Sequence, residues 1–327
     1  MGGYEDKKIS LRFPCSPDYL CAMDFSVVIP TFNNLGELQG CLAALDATAG
    51  CNFEVHVCVD GSTDGTSEWL STAAFSFPLL VHHHPGRVNK GRAATRNLSL
   101  DHLRGRHTLF LDSDMEAAPD LFQQHAHILD QGDTVSIGAV RYRNRKGNLW
   151  VRYTSERGVA KFQPGAEVPF QYFITPNTAM PTQWLREVGG FDPLINRYGG
   201  EDMELGYRIH TAFTPHFIYN EAARVTTTQP KTLREALPQL REYGGSGLPY
   251  IVRKWPELDS TYWVKTCSPN SLKDRLFNLM ALPLWRPMAF AFLRLTPFSI
   301  QKLLINYLVI SHVHEGYRAA MRQSENQ

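Results

Sequence analysis

Short apolar runs alternate with amphipathic stretches along the first two thirds of the chain. The run over residues 25–30 is rich in β-branched residues and ends at Pro30, which is typical of a buried strand. Leucines at helical spacing follow it and predict a helix up to about Gly50. The same reasoning predicts strands at 53–59, 79–81, 108–111 and 135–140, and helices over 63–69, 90–103 and 119–129. Strands that alternate with helices predict a mostly parallel sheet covered on both faces.

Polar residues stand directly after several of these strands. Thr31 follows the first predicted strand, Asp60 the second, and Asp112 the strand that ends in LFL. Because parallel α/β sheets bind ligands beyond the carboxyl ends of their strands, we expect these side chains to share one site.

The pattern changes after about residue 225, where the chain becomes a series of helices broken by glycine and proline. We therefore predict an N-terminal extension over 1–23, an α/β domain over 24–226 and a mainly helical region over 227–327. Two interpretations of the apolar and basic segment 276–310 stay open. It is a helical layer packed on the core, or it lies on a bilayer as a peripheral membrane contact. Its uncharged stretches are shorter than the ~20 residues of a membrane span.

Composition narrows the function classes. The 327 residues are 43% hydrophobic and 20% charged, which is typical of a folded protein. A formal net charge of +1 argues against a nucleic-acid partner, because such proteins carry a strong basic excess. Six cysteines without a CxxC pair fit a reducing compartment, and the charged N-terminus lacks the apolar core of a secretory signal. We therefore expect a cytoplasmic location.

The first chemically informative cluster is Asp112-Ser113-Asp114. Two carboxylates one residue apart can share a hard divalent cation, Mn²⁺ or Mg²⁺, whose remaining positions take phosphate oxygens and water. Paired acids also occur in turns for purely structural reasons. The position of this pair at a strand end of an α/β pattern favours the metal interpretation.

Three further clusters accompany that pair. Asp60 stands in the glycine-rich turn DGSTDG, where its carboxylate can accept bonds from a base or ribose. Arg96 lies one turn into the small-residue stretch GRAATRN, at a place suited to a base or phosphate. Glu201 and Asp202 follow Gly200 and open a helix, where a carboxylate can deprotonate an acceptor hydroxyl.

Other sequence features exclude neighbouring chemistries. The chain has neither a Walker A loop nor GxGxxG after the first strand, which argues against phosphate-loop enzymes and dinucleotide oxidoreductases. The tract His82-His83-His84 is predicted to be a loop rather than a metal site.

In their order and spacing, these clusters resemble family 2 of the inverting glycosyltransferases, which has the GT-A fold. The resemblance is carried by SVVIPTFN, VDGSTDGT, GRAATRN, LFLDSDME, GGFDP and GGEDMELGYR. It covers roughly residues 25–226. It implies an α/β fold with a mostly parallel central sheet flanked by helices, and here with a helical C-terminal extension.

The resemblance implies a role for each matching residue. The donor nucleotide would be held by Pro30, Thr31, Asp60, Arg96, Asp112 and Ser113. Asp114, with Asp112, would bind the metal. Asn177 and Gly200 would lie near the donor sugar or the acceptor. Asp202 would be the catalytic base, with Glu201 beside it.

The resemblance also implies a reaction. An acceptor hydroxyl would displace the nucleoside diphosphate in one step at the anomeric carbon, with metal assistance. A UDP-sugar is the expected donor, while GDP and dTDP stay open; the acceptor would be a saccharide, a lipid-linked molecule or a small metabolite. The alternatives are a nucleotidyltransferase of related fold and a catalytically silent nucleotide-binding protein.

One departure from the family pattern concerns the metal. Many relatives carry a metal-binding histidine after the final strand, but residues 221–228 contain none, and His216 lies earlier at a place that suits a structural role. We therefore expect water or the donor diphosphate to fill the third position.

Overall fold

The central sheet is built around β1 (Phe25–Thr31), which is buried along almost its whole length. Its β-branched residues suit a strand that is covered on both faces. Pro30 is tolerated in this central strand because pairing with β4 (His107–Leu111) ends at Val28. The missing N–H of the proline therefore removes no bond on that side.

The computed structural model describes residues 23–48, 50–143, 147–227, 230–260, 278–279 and 281–325. Most of the predicted N-terminal extension thus lies outside the described residues. The further strands are β2 (Phe53–Val59), β3 (Leu79–His83), β5 (Met115–Ala117), β6 (Thr134–Tyr142), β7 (Asn177–Pro181) and β8 (His216–Thr227). The helices are α1 (Leu35–Asp46), α2 (Thr66–Leu70), α3 (Arg92–Asn97), α4 (Leu121–Leu129), α5 (Leu149–Ser155), α6 (Thr182–Glu187), α7 (Glu201–Phe213), α8 (Leu233–Gly245), α9 (Gly247–Lys254), α10 (Arg286–Phe292) and α11 (Phe298–Glu325).

The sheet has two halves in the order β3-β2-β1-β4-β7-β6-β8-β5. The first four strands are parallel, as the alternating pattern predicts. In the second half β6 and β8 are parallel, but β7 lies antiparallel between β4 and β6, and β5 pairs antiparallel with β8. The sheet is therefore mixed, because the chain reverses direction to insert β7.

Each face of the sheet carries its own apolar core. On one face α1 and α4 pack through leucines and Phe122 against the β-branched residues of β1 and β2. On the other face α3, α6 and α7 cover β4, β6 and β7, with Leu205 and Ile209 fully buried. Burial on both faces leaves the strand ends as the place where polar side chains can gather.

The last described helices form a layer on the α/β core. A capping box between Thr232 and Glu235 begins α8, and α11 packs along that helix. The ammonium of Lys254, at the end of α9, is 2.7 Å from carboxylates of both Asp192 and Glu204. These ion pairs tie α9 to the core. No helix among the described residues is both long and apolar enough to cross a membrane.

The histidine tract is not the predicted loop. His82 and His83 belong to β3 because they pair in register with Cys58 and Val59 of β2. The next residue, His84, lies within 2.9 Å of the hydroxyl of Thr95, so its imidazole joins β3 to α3.

Candidate active site

The acidic turn Asp112-Ser113-Asp114 follows β4, as predicted. An oxygen of Asp112 is 3.0 Å from a guanidinium nitrogen of Arg96. The hydroxyl of Thr227 donates to Asp114 at 2.9 Å, because the pairing of β5 with β8 places Met115 opposite Thr227. Burial and the charge of Asp112 raise the pKa of Asp114. The two carboxylates thus share a negatively charged, partly enclosed pocket.

This pocket fits a divalent cation only in part. Both carboxylates offer hard oxygen donors, and each has one oxygen that no other described side chain binds. Within the described ranges, however, no group of three histidine, cysteine or acidic residues is placed to hold a metal. A cation bound here would need phosphate oxygens or water to complete its coordination.

Asp60 follows β2 directly and is bound to the loop before α3. Its two carboxylate oxygens accept from the backbone N–H groups of Lys90 (2.7 Å) and Gly91 (3.1 Å). This loop passes close to the turn after β2, since a Cβ at Gly61 would lie 2.8 Å from the backbone nitrogen of Asn89. Asp60 is only 5% exposed. It fixes the loop before α3, and its Oδ1 also lies 3.5 Å from the imidazole of His84.

The turn after β1 is joined to the acidic turn through Asn34. Its side-chain oxygen accepts from Thr31, and its amide donates to the hydroxyl of Ser113. Thr31 and Ser113 are both buried, whereas Pro30 is partly exposed. The structure therefore brings the predicted nucleotide-binding residues of β1, β2 and β4 to one edge of the sheet.

Arg96 stands between the acidic turn after β4 and the two acids that begin α7. Besides Asp112, its guanidinium lies 3.6 Å from Glu201 and 3.8 Å from Asp202. The side chain is buried and its charged end is 5.3 Å from the ring centre of Phe191. Nε and Nη1 have no hydrogen-bond acceptor among the described residues. A buried guanidinium with unused donors is a ready contact for an anion.

Asp202 lies in the first turn of α7, which begins after Gly200. The left-handed backbone of Gly200 (φ 101°) lets the chain turn into the helix and suits a residue without a side chain. Thr175 holds the carboxylate of Asp202 through its hydroxyl at 2.7 Å. Burial and the charge of Glu201 raise the pKa of Asp202 to about 7, against the opposing charge of Arg96. This carboxylate can therefore take up a proton near neutral pH.

The expectation for Asn177 is wrong. Its side chain is 1% exposed, and its amide donates to the carbonyls of Ala139 and Ala223 while its oxygen contacts His125 at 2.9 Å. Asn177 thus joins β7 to β6 and β8, and both of its amide hydrogens are used in these bonds. The residue of the same stretch that reaches the site is Thr175, two positions earlier.

Three residues that the sequence interpretation missed complete the pocket. The guanidinium of Arg92 and the ammonium of Lys231 lie 5.4 Å and 5.2 Å from the ring centre of Tyr198. Neither cation forms an ion pair in the described part of the chain, although Lys231 contacts Gln239. Lys231 is close enough to Arg92 and to the acidic turn for their charges to change its pKa. Burial and the positive charge of Arg92 lower this pKa, whereas Asp112 and Asp114 raise it. A lysine just beyond the final strand was the signal available in the sequence.

The helical layer packs against the turn that carries Glu201 and Asp202. A Cβ at Gly200 would lie 2.6 Å from the side chain of Ile251, and one at Gly199 would lie 3.1 Å from Tyr243. The glycines therefore let α8 and α9 approach closely. Glu201 follows Gly200 directly and is buried.

His216 takes the structural place predicted for it. It begins β8, is exposed and lies 3.1 Å from the carboxylate of Glu167. At the end of β8, where many relatives carry a histidine, Thr227 donates its hydroxyl to Asp114.

Comparison with known proteins now identifies the family. The model of the family described as "Glycosyl transferase family 2" matches residues 26–189, half of the chain. The chain belongs to this family. Membership of this family disfavours the nucleotidyltransferase alternative.

Named relatives agree with this assignment. The chain is 27% identical to the "Uncharacterized glycosyltransferase YfnE" of Bacillus subtilis, over 58% of this chain and 61% of that protein. It is 26% identical to validoxylamine A glucosyltransferase of Streptomyces hygroscopicus subsp. jinggangensis, over 74% and 63%. It is also 26% identical to the chondroitin synthase of Escherichia coli, over 57% and 32%. The chain thus spans less than two thirds of these relatives.

Solved structures confirm the GT-A fold. The mannosyltransferase PcManGT from Pyrobaculum calidifontis, in complex with GDP-Man and Mn²⁺, aligns with a TM-score of 0.60 at 16% identity, covering 93% of this chain and 91% of that one. S. aureus TarS in complex with UDP-GlcNAc aligns with a TM-score of 0.54 at 18% identity, covering 93% of both chains. Both comparisons extend into the helical layer as well as the sheet.

Proposed function

We propose that this protein transfers a sugar from a nucleoside diphosphate sugar to an acceptor hydroxyl, with inversion at the anomeric carbon. The observation that carries the proposal is the position of Arg96, whose guanidinium contacts Asp112 on one side and approaches Glu201 and Asp202 on the other. A donor phosphate and an acceptor hydroxyl would thereby meet on opposite sides of one buried cation.

The nucleoside is assigned to the pocket lined by Pro30, Thr31 and Asp60. Asp60 fixes the loop that closes this pocket, because both of its oxygens hold backbone N–H groups of that loop. The diphosphate is assigned to the unpaired cations Arg92 and Lys231, with the free donors of Arg96. These cations supply positive charge on the side where the chain lacks the histidine of many relatives.

Asp112 and Asp114 are the residues that would hold a divalent cation, Mn²⁺ or Mg²⁺. Such an ion would offset the negative charge that grows on the departing diphosphate. The remaining ligands would come from that diphosphate and from water, since no third acid or histidine of the described chain is placed to bind.

Asp202 is assigned as the base. The acceptor oxygen attacks the anomeric carbon, the bond from that carbon to the diphosphate oxygen breaks, and the nucleoside diphosphate leaves with the bonding electrons. The acceptor proton passes to the carboxylate of Asp202, which Thr175 holds in place. One displacement inverts the configuration and requires no covalent enzyme intermediate.

A UDP-sugar is the proposed donor. The structural neighbours bind either UDP-GlcNAc or GDP-Man, so GDP is the competing nucleotide. The acceptor stays a saccharide, a lipid-linked molecule or a small metabolite. A cytoplasmic location also remains part of this proposal.

Calorimetric titration with UDP, GDP and dTDP, with Mn²⁺ and with a chelator, tests this function. We expect one nucleotide, UDP first, to bind at least about tenfold more tightly with the metal present. Chromatography should then detect release of that diphosphate from its sugar nucleotides, and NMR of the product should show an inverted anomeric centre. A protein that binds none of the three would contradict the function, and equal affinity with chelator would contradict the metal.

A further inference from the structure

The helical layer carries a concentrated apolar surface. Eleven large hydrophobic side chains are exposed in the described part of the chain, and eight of them lie between Leu279 and Leu303. We call these eight the apolar face: Leu279, Leu284, Trp285, Met288, Phe292, Leu295, Ile300 and Leu303. Scattered exposed leucines are ordinary, but this clustering in one segment marks an interaction surface.

The apolar face is held by an ordered support. Behind it, Ala289 and Leu293 pack with Ile305 and Leu308 in a buried cluster that includes the start of α8. The guanidinium of Arg286 lies 2.7 Å from Glu315. The outward hydrophobic side chains therefore belong to packed helices, whose inner sides already have apolar partners.

The segment that carries this surface contains basic residues but no acidic ones. No aspartate or glutamate occurs between residues 275 and 314. Arg294 is exposed and, like exposed Arg234 at the start of α8, forms no ion pair among the described residues. Lys302 is paired with Glu156 at 2.9 Å. Two unpaired arginines beside an apolar surface suit an anionic partner.

A groove brings these arginines together. It has a volume of about 780 Å³ and lies between the starts of α5 and α8 and the end of α10. Arg234, Arg294, Phe290 and Leu293 are among its lining residues. The groove also includes Thr232, the neighbour of Lys231 in the proposed diphosphate site. An anionic headgroup fits the arginines, and the adjoining apolar face suits acyl chains.

We propose that the apolar face docks on the surface of a membrane that contains anionic lipids. Helices with Trp, Phe and Leu on one side and basic residues at the edge lie in this way at a bilayer interface. A second copy is disfavoured as occupant because it would bring two basic edges together. The inference does not depend on transfer chemistry.

Flotation with phosphatidylcholine vesicles, with and without about 30% phosphatidylglycerol, tests this docking. The full chain should float with the anionic vesicles and should dissociate at about 0.5 M NaCl. The double variant L284E/L295E, at positions 71% and 79% exposed, should float at least tenfold less. The matched control L194E changes a leucine that is 68% exposed outside the face and should float like the wild type.

A second pair of measurements separates docking from misfolding. L284E/L295E should bind nucleotide as the wild type does, and R234Q/R294Q should lose most of its preference for anionic vesicles. Equal flotation of all variants, or equal binding to both vesicle types, would overturn the proposal. A wild-type dimer that L284E/L295E converts to monomer would overturn it in favour of a second copy.

Discussion

Asp60 and Asp202 each place a carboxylate at an edge of the sheet, but Asp60 is buried whereas Asp202 is partly exposed, and their partners differ. Asp60 accepts two backbone N–H groups, at 2.7 Å and 3.1 Å, from the loop before α3. Asp202 accepts the hydroxyl of Thr175 at 2.7 Å and the backbone N–H of the same residue at the longer distance of 3.4 Å. It has Glu201 as its neighbour and lies 3.8 Å from the cation of Arg96. Burial and the charge of Glu201 raise the pKa of Asp202 to about 7.

This difference in partners suits the two carboxylates to different proposed roles, which are nucleotide binding for Asp60 and proton transfer for Asp202. Backbone donors fix the position of the Asp60 carboxylate, so the loop before α3 is organised without a bound ligand. The Asp202 pocket keeps two acids close together with incomplete compensation, which favours uptake of a proton. One edge of the sheet thus combines a prearranged loop, the proposed nucleotide site, with a proposed base whose pKa is raised to about 7.

Removing the proposed base should have the largest effect. We expect D202N to lower the transfer rate at least about a thousandfold, because the amide cannot take the acceptor proton. Nucleotide affinity should change less than about threefold, since the amide still accepts from Thr175. Rapid-quench kinetics and calorimetry on the same preparation measure both, with D101N as an exposed acidic control. Lost nucleotide binding would show that Asp202 belongs to the donor side.

Removing the proposed diphosphate cations should have a smaller effect. K231M and R92M should each weaken binding of the nucleoside diphosphate about tenfold, while affinity for the uncharged nucleoside stays unchanged. Calorimetry with both ligands, with and without metal, measures the contrast. R234M removes a neighbouring cation that lies outside the proposed diphosphate site and is the control. Equal losses for nucleoside and diphosphate would mean that these residues shape the pocket rather than bind phosphate.

The sequence predicted the half of the site that follows the parallel strands. Asp60 and Asp112 could be placed because each directly follows an apolar run, and parallel strands bring such residues to one edge. Arg96 could be placed because α3 begins beside them. The local pattern was sufficient here because β2, β1 and β4 are parallel neighbours, so the residues that follow them meet at one edge of the sheet.

The other half depends on pairings that local pattern does not contain. β7 is five residues long, contains no β-branched run and ends in Pro181, so its central position comes from the strands that cover both of its edges. That pairing buries Asn177 and leaves Thr175 to contact Asp202. Lys231 reaches the site because α8 begins just after it and packs into the helical layer. The resemblance covered residues 25–226 and therefore gave no reason to examine that lysine.

Titration of the Asp202 carboxyl by ¹³C NMR tests the central claim most directly. Aspartate-labelled wild type and D202N, without nucleotide or metal, assign the signal by difference. A carboxyl with a raised pKa holds its proton below that pKa and becomes a competent base as the pH rises through it. We expect a midpoint near pH 7. A midpoint near the usual aspartate value of about 4 would contradict the claim that this pocket is built to accept a proton.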